Sequence, residues 1–360
     1  MYLPDPRLYP RVNAQNPVIR ALMSLLTEAD AGEITRKREA LTALIASLVE
    51  SHDSPGLNAA LTQAPSQDAY KVLWDTLRDV VETPATTANQ WAVPFAIPVI
   101  LVAGFKGEAT LPGEVDAAAL LDLLKSNGVI AADANAWLHN QLLSADQLAA
   151  INPSLLTAWR DQLQNPADHN WQLHPLKFKD EAVFQRYLVG VMVQQRDAQP
   201  AIQLNPSAGQ WTLALAQKLG EMLKTNGVTL FPIPRVPLAW LPALETGRVT
   251  QLETRLQVAT SNALRSIRSA GHWPVVTIAG HEGGEIRITY SSREDKERWE
   301  GFVWPLAPLD SAERIRHFAE DLLRECHLDD IRIIDAVQPD QDSDGLPFFV
   351  TAHIKPVTHQ

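Results

Sequence analysis

The chain has 360 residues and a formal net charge of −11, with 42 acidic against 31 basic side chains. That balance excludes a protein that coats duplex nucleic acid, because phosphate binding needs a concentrated positive face. Apolar residues at 46% and charged ones at 20% are those of a soluble globular protein, long enough for two or three domains, and a single cysteine, Cys326, excludes an internal disulfide and suits a reducing compartment.

Residues 1–16 are punctuated by proline and lack the apolar core of a signal peptide. Asn16-Pro17 then pairs an N-cap with proline in the first helical position. A second helix is carried by Leu41, Leu44, Ile45 and Leu48, and Ser54-Pro55 opens a shorter piece. Ser66 caps a fourth helix with Val72, Leu73, Leu77 and Val80, so residues 1–90 form a helical N-terminal region. Arg36-Lys37-Arg38 lies beside Glu33 and Glu39 and is read as a solvated face.

The run AVPFAIPVILVAG from Ala92 spans 13 residues, too short to cross a bilayer. Phe95 to Ala103 within it is a candidate buried central strand, although Pro94 and Pro98 cannot donate to a ladder. A helix over Asp116–Ser126 buries Ala117, Leu120, Leu121 and Leu124, stops at Asn127-Gly128, and resumes as strand at Val129-Ile130. Three short helices are expected next, after the caps Asp133, Ser144 and Asn152-Pro153, followed by a loop over residues 165–179.

Tyr187 to Gln194 reads as a strand, and the helix from Trp211 buries Leu215, Leu219, Met222 and Leu223 before Asn226-Gly227 and a strand over Val228 to Phe231. FPIPRVPLAWLP then places prolines at 232, 234, 237 and 242, which marks a boundary near 235. Pro234 to Pro237 is either a PxxP ligand for a partner domain or a segment packed on its own protein. A long helix from Ala243 to Ala270 stops at Gly271. A hairpin follows, Pro274–Ala279 and Glu285–Tyr290 across HEGG, then a strand with Phe302, Trp304 and Leu306. A helix from Ser311 and strands over Ile331–Val337 and Leu346–Ile354 complete a module read as a ferredoxin-like sandwich.

One phrase recurs. AALLDLLKSNGVIAA from Ala118 returns as WTLALAQKLGEMLKTNGVTLFPIP from Trp211 and, more faintly, as FAEDLLRECHLDDIRII from Phe318, where His327 takes the glycine position. Each copy follows an apolar segment (Phe95–Ala103, Tyr187–Gln194, Gly301–Leu306), the pattern of a strand, a crossover helix and a returning strand. Structural repetition and convergent helix capping both account for it. The expected fold class is α/β to α+β, divided into a helical region (1–90), an α/β region with inserted helices (91–235), and a long helix with a C-terminal α+β module (236–360).

Several constellations carry possible chemistry. Asp340, Asp342, Asp344 and Gly345 reproduce the first half of a calcium loop, but position 12 is Thr351 instead of a bidentate Glu, so an acidic turn competes with a Ca2+ site. The histidines make no recognised zinc-ligand pair, and no other cofactor is expected. Cys326 beside His327 is read as a small hydrophobe closing a helix. Gly280 to Gly284 joins two strands and opens no helix, so it is a turn and not a phosphate cradle. Arg265, Arg268 and His272 form the best anion-facing candidate, against internal pairing in an acidic protein. Of the ten tryptophans, Trp273, Trp299 and Trp304 fall in or beside the C-terminal sheet; core anchoring accounts for most, and an exposed pair would mark a partner surface.

At RYLVG (186–190), GFVWPL (301–306) and LLREC (322–326) the chain resembles an uncharacterised bacterial family known only as a domain of unknown function. The resemblance implies a cytosolic bacterial protein and no particular activity. With no nucleophile–base set, phosphate loop or closed metal site in view, the expectation is a non-enzymatic cytoplasmic binding or regulatory protein acting through protein–protein contacts. It would touch neither membrane nor duplex nucleic acid, and a homodimer through the C-terminal sheet edge could accompany it. The alternative is an enzyme, a hydrolase for instance, with its site at the strand ends of the central region.

Overall fold

The computed structural model describes residues 16–51, 53–82, 90–105, 108–149, 176–179, 183–195, 202, 208–295 and 298–339. Helix and sheet are mixed, as in an α+β protein. The chain divides into two compact units, one of Thr42–Ser54 and Thr76–Gln251, the other of Met1–Leu41, Pro55–Asp75 and Leu252–Gln360.

The first four helices are α1 (Pro17–Leu26), α2 (Ala31–Glu50), α3 (Ser54–Thr62) and α4 (Gln67–Glu82). Asn16 Oδ1 accepts the Val18 N–H at 2.9 Å, and Ser66 Oγ accepts the Ala69 N–H at 3.1 Å, so both caps satisfy amides that a helix start leaves open. The basic run on α2 is not wholly solvated as expected. Lys37 folds back, with Nζ 2.6 Å from Glu28 Oε2 and 3.1 Å from the Ser24 carbonyl oxygen, and so ties down the α1–α2 loop. Lys37 and the Asp30 and Ala29 amides hold the Glu28 carboxyl down at about 2.

The central unit is built on a four-stranded sheet of order β3-β5-β1-β6, from β1 (Gln90–Gly104), β3 (Asn135–Leu138), β5 (Val183–Gln195) and β6 (Thr229–Pro234). A separate ribbon pairs β2 (Glu108–Leu111) with β4 (Leu176–Lys179). Every neighbouring pair in the main sheet is antiparallel. It follows that β3 runs parallel to β1 with β5 between them, and β6 parallel to β5 with β1 between them. Helix α5 (Ala117–Ser126) carries the first crossover and α7 (Ala208–Met222) the second, so two strand–helix–strand units interleave in a split βαβ arrangement. The short helix α6 (Ala145–Ala149) lies between β3 and β4 in the chain.

Both crossover helices cover one face. Leu120, Leu124, Leu215, Leu219 and Leu223 bury against Phe95, Ile97, Val99, Leu101 and Leu188. On the other face Ala96, Tyr187, Val189 and Val191 cluster with Leu143, Leu148, Trp240 and Ala243, the last two on α8 (Trp240–Ser269). Because β1 is covered on both sides, its sequence reads as an unbroken apolar run instead of an alternation.

Backbone parity explains how β1 tolerates two prolines. Ala96 and Leu238 exchange both amide bonds, at 2.7 and 2.9 Å, and the Pro98 carbonyl accepts the Arg235 N–H at 2.8 Å. Even-numbered residues of β1 therefore turn their backbone groups toward β6 and the segment after it, so Pro94 and Pro98 remove no donor from the ladder with β5. The same bonds show Pro234 to Pro237 engaged by their own chain, with Val236 packed on the core. Pro232 and Pro234 stand opposite Leu101 and Val99. At those odd positions their missing N–H groups face away from the sheet.

The loop expected over 165–179 ends as strand at Leu176–Lys179, its earlier residues lying outside the described ones, and two further expectations need correction. The segment after Asp133 is strand β3 and not a helix: Asn135–Leu138 pairs with Val193–Gly190, sending Leu138 into the α5/α7 core and Trp137 to the opposite cluster. A four-residue stretch is too short for its period to separate the two states, and pairing with β5 decides it. Val129-Ile130, expected as strand, provides only an isolated bridge from Ile130 to Ile202. The helices expected after Ser144 and Trp211 are present, the first with reciprocal Ser144–Gln147 capping bonds of 3.2 and 2.8 Å.

In the other unit β7 (Pro274–His281), β8 (Glu285–Ser292) and β9 (Trp299–Pro305) form an antiparallel meander, and β10 (Ile331–Gln338) lies parallel to β7, giving the order β10-β7-β8-β9. Helix α9 (Ala312–Glu325) crosses from β9 to β10. The described strands of the module expected to be ferredoxin-like contain one crossover and a sequential meander, and its last expected strand, over 346–354, lies outside the described residues. Tyr290 on β8 bonds Thr260 on α8 at 2.6 Å, and Trp304 on β9 meets Phe318 on α9 edge to face at 6.4 Å. Both helices thus pack on one face of this sheet.

The three recurring phrases correspond to the three crossover helices. Gly128 (φ 68°) directly follows the α5 C-cap Asn127, and His327 (φ 56°) follows the α9 C-cap Cys326. Gly227 (φ 78°) instead sits in the turn before β6, after α7 has ended at Met222. A left-handed residue costs a side-chain-bearing amino acid about 1 kcal/mol or more that glycine escapes. His327→Gly is therefore expected to raise stability by about 1 kcal/mol in urea denaturation. A second contact is equally specific. A Cβ on Gly247 of α8 would strike the Tyr187 hydroxyl. Gly247→Ala should cost about 2 kcal/mol, and less in a Tyr187→Phe background; equal costs in both backgrounds would contradict the contact.

Candidate binding surface

The sequence-derived candidates do not converge. Asp340, Asp342 and Asp344 lie outside the described residues. The Arg268 guanidinium donates to the Cys326 and His327 carbonyl oxygens at 3.0 and 3.3 Å, so it sits at the negative end of α9. Arg265 is exposed on α8, and His272 engages Ser292. No common anion pocket joins the three. Cys326 is the C-cap of α9, and Gly284 (φ 73°) closes the β7–β8 hairpin, as read from sequence. Among the described residues no three His, Cys, Asp or Glu side chains are grouped to hold a metal ion, and no helix is long and apolar enough to cross a membrane.

His272 instead belongs to a network at the start of β7. Ser292 Oγ, wholly buried, lies 2.9 Å from His272 Nδ1 and 3.4 Å from Glu294 Oε2. It also accepts the Glu294 and Asp295 amides at 3.2 and 2.9 Å, the local turn that Ser favours at a strand end. Glu294 Oε2 in turn accepts the Trp273 N–H at 2.9 Å, while the Trp273 carbonyl accepts the Arg293 N–H at 3.0 Å. The Trp273 amide lowers the Glu294 pKa most, with help from Ser292 and His272, so the carboxylate stays ionised below the usual range.

Serine, histidine and glutamate together invite a hydrolytic reading, but their order is wrong for it. In a catalytic triad the imidazole stands between hydroxyl and carboxylate. Here the buried hydroxyl stands between the other two, with two backbone amides on its lone pairs. The chemistry this arrangement supports is positional: it pins the backbone of Trp273 from both sides.

Trp273 itself is 71% exposed, against 1% for Trp304, and is the most exposed large apolar side chain among the described residues. Charged groups surround its mounting. Arg293 pairs with Asp330, Arg298 lies 3.9 Å from Asp295, and Arg298 donates to the Ser266 carbonyl at 3.3 Å. Sequence reasoning singled out Trp273 and His272 but missed Ser292 and Glu294, whose signal was the Ser-Arg-Glu-Asp string closing β8.

A second titratable group is structural. His139, buried beside β5, accepts the Gln141 N–H on Nδ1 at 3.0 Å and meets the Trp137 ring edge on at 5.7 Å. Burial lowers its pKa to about 4. The folded protein then keeps His139 neutral while the unfolded chain protonates below about 6.5. Its contribution to stability is complete above that pH and is lost as pH falls toward 4, by about 3 kcal/mol. The stability advantage of the wild type over His139→Gln should shrink by that amount between pH 7 and 4 in urea titrations. A constant difference would contradict the neutral state. No family model, curated protein or solved structure matches this chain.

Proposed function

We propose that the chain is a non-enzymatic, cytoplasmic binding or regulatory protein that acts through protein–protein contacts, with Trp273 as its anchor. The observation that supports this reading is the exposure of Trp273 on a backbone fixed by Glu294 and Arg293. A rigid aromatic loses little conformational freedom on binding, and tryptophan is among the residues enriched at interface hot spots. The complementary partner presents an apolar cleft with a polar margin. The alternative, an enzyme with its site at the strand ends of the central unit, has a weaker footing, because alternating strand directions bring no common carboxyl edge together there.

The test compares baits in affinity purification from the native host. Trp273→Ala should keep wild-type stability within about 0.5 kcal/mol, since the side chain is exposed. It should weaken capture of the specific partner by about 2 kcal/mol, roughly thirtyfold in Kd. Phe231→Ala, which removes the exposed aromatic of β6 in the central unit, should retain it. Equal capture by wild type and Trp273→Ala overturns the proposal.

A further inference from the structure

We propose that His272 is a proton-operated latch on the Trp273 surface: its protonation breaks the contact with Ser292 and draws the imidazolium to Glu294, the group that holds the Trp273 amide. This rests on the binding role given to Trp273 but concerns its regulation.

The inference follows from counting donors and acceptors. A serine hydroxyl has one proton to give and two lone pairs to receive. Both lone pairs of Ser292 are occupied, by the Glu294 and Asp295 amides. Its one proton therefore goes to His272 Nδ1 at 2.9 Å or to Glu294 Oε2 at 3.4 Å, and the shorter distance favours the histidine. That arrangement requires a neutral imidazole with Nδ1 free of a proton.

Add a proton and the contact fails. The Nδ1–H of an imidazolium faces an oxygen with no lone pair left, so the ring must leave or a backbone amide must be given up. The anion that shares Ser292 with His272 is Glu294, whose ionised state His272 already supports. The surrounding cations are committed to other partners: Arg293 to Asp330, Arg298 to Asp295 and the Ser266 carbonyl, and Arg268 to the carbonyls at the end of α9. An imidazolium arriving at Glu294 Oε2 competes there with the Trp273 N–H, and the released serine proton turns to the same oxygen. Acidification thus loosens the mounting of the exposed ring. Glu294 is held ionised below the ordinary carboxylate range, so it remains an anion for the imidazolium to meet.

The test is a pH titration by 1H–15N NMR on the whole protein between pH 5 and 8, wild type against His272→Gln. The His272 ring proton and the Trp273, Glu294 and Asp295 amides should shift along one curve in the wild type, and the three amides should lose that transition in His272→Gln. Amides that stay flat while His272 titrates, or that titrate unchanged in the variant, overturn the latch. No partner is involved, so such a result leaves the bait comparison standing, and failure of the bait comparison leaves this titration interpretable.

Discussion

A helix laid across a sheet must be stopped and turned within a few residues, or the chain cannot come back as a strand. That reversal is the constraint on which both units depend. Among the described residues it is met four times, after α5, α7, α8 and α9, by residues with positive φ at 128, 227, 271 and 327. In the central unit two such reversals make the interleaved crossovers possible, and their helices then share one apolar face of the sheet. In the other unit the reversal at Gly271 leads into β7, and the one at His327 returns β10 beside it. The likeness of the phrases at 118 and 211 is thus reflected in the fold, because each belongs to one half of the same split arrangement.

The sequence made the crossover helices, the hairpin and the long helix legible because each is long and strongly periodic. It could not show the order of strands. Order depends on which edges meet, and neither Phe95–Ala103 nor Tyr187–Gln194 contains the identity of its neighbours. The proline problem in β1 shows the same limit more sharply. Whether Pro94 and Pro98 harm a strand depends on which side their nitrogens face, and that parity is settled by the bond between Ala96 and Leu238. The misread segment at Asn135–Leu138 failed for a related reason: its state is imposed by β5, and its own four residues are neutral on the matter.

At the candidate surface, two of the four essential residues were visible in advance and two were not. Trp273 and His272 stand out as residue types. Ser292 and Glu294 matter only because the β7–β8 register returns the chain to the start of β7, 20 residues after His272. The arginines looked like an anion site for the opposite reason. Their residue type suggested a ligand, while Arg268 spends its charge on the carbonyls that end α9.

The prolines of β6 carry a consequence beyond the central unit. An outermost strand normally offers a row of free amides to any passing chain, and so invites stacking into fibrils or runaway polymers. With Pro232 and Pro234 at two of its three outward positions, β6 keeps a single outward donor, at Leu230. That border presents an interrupted ladder, and a chain laid against it would find most of its own carbonyls without a partner, which discourages growth of a fibril along this edge.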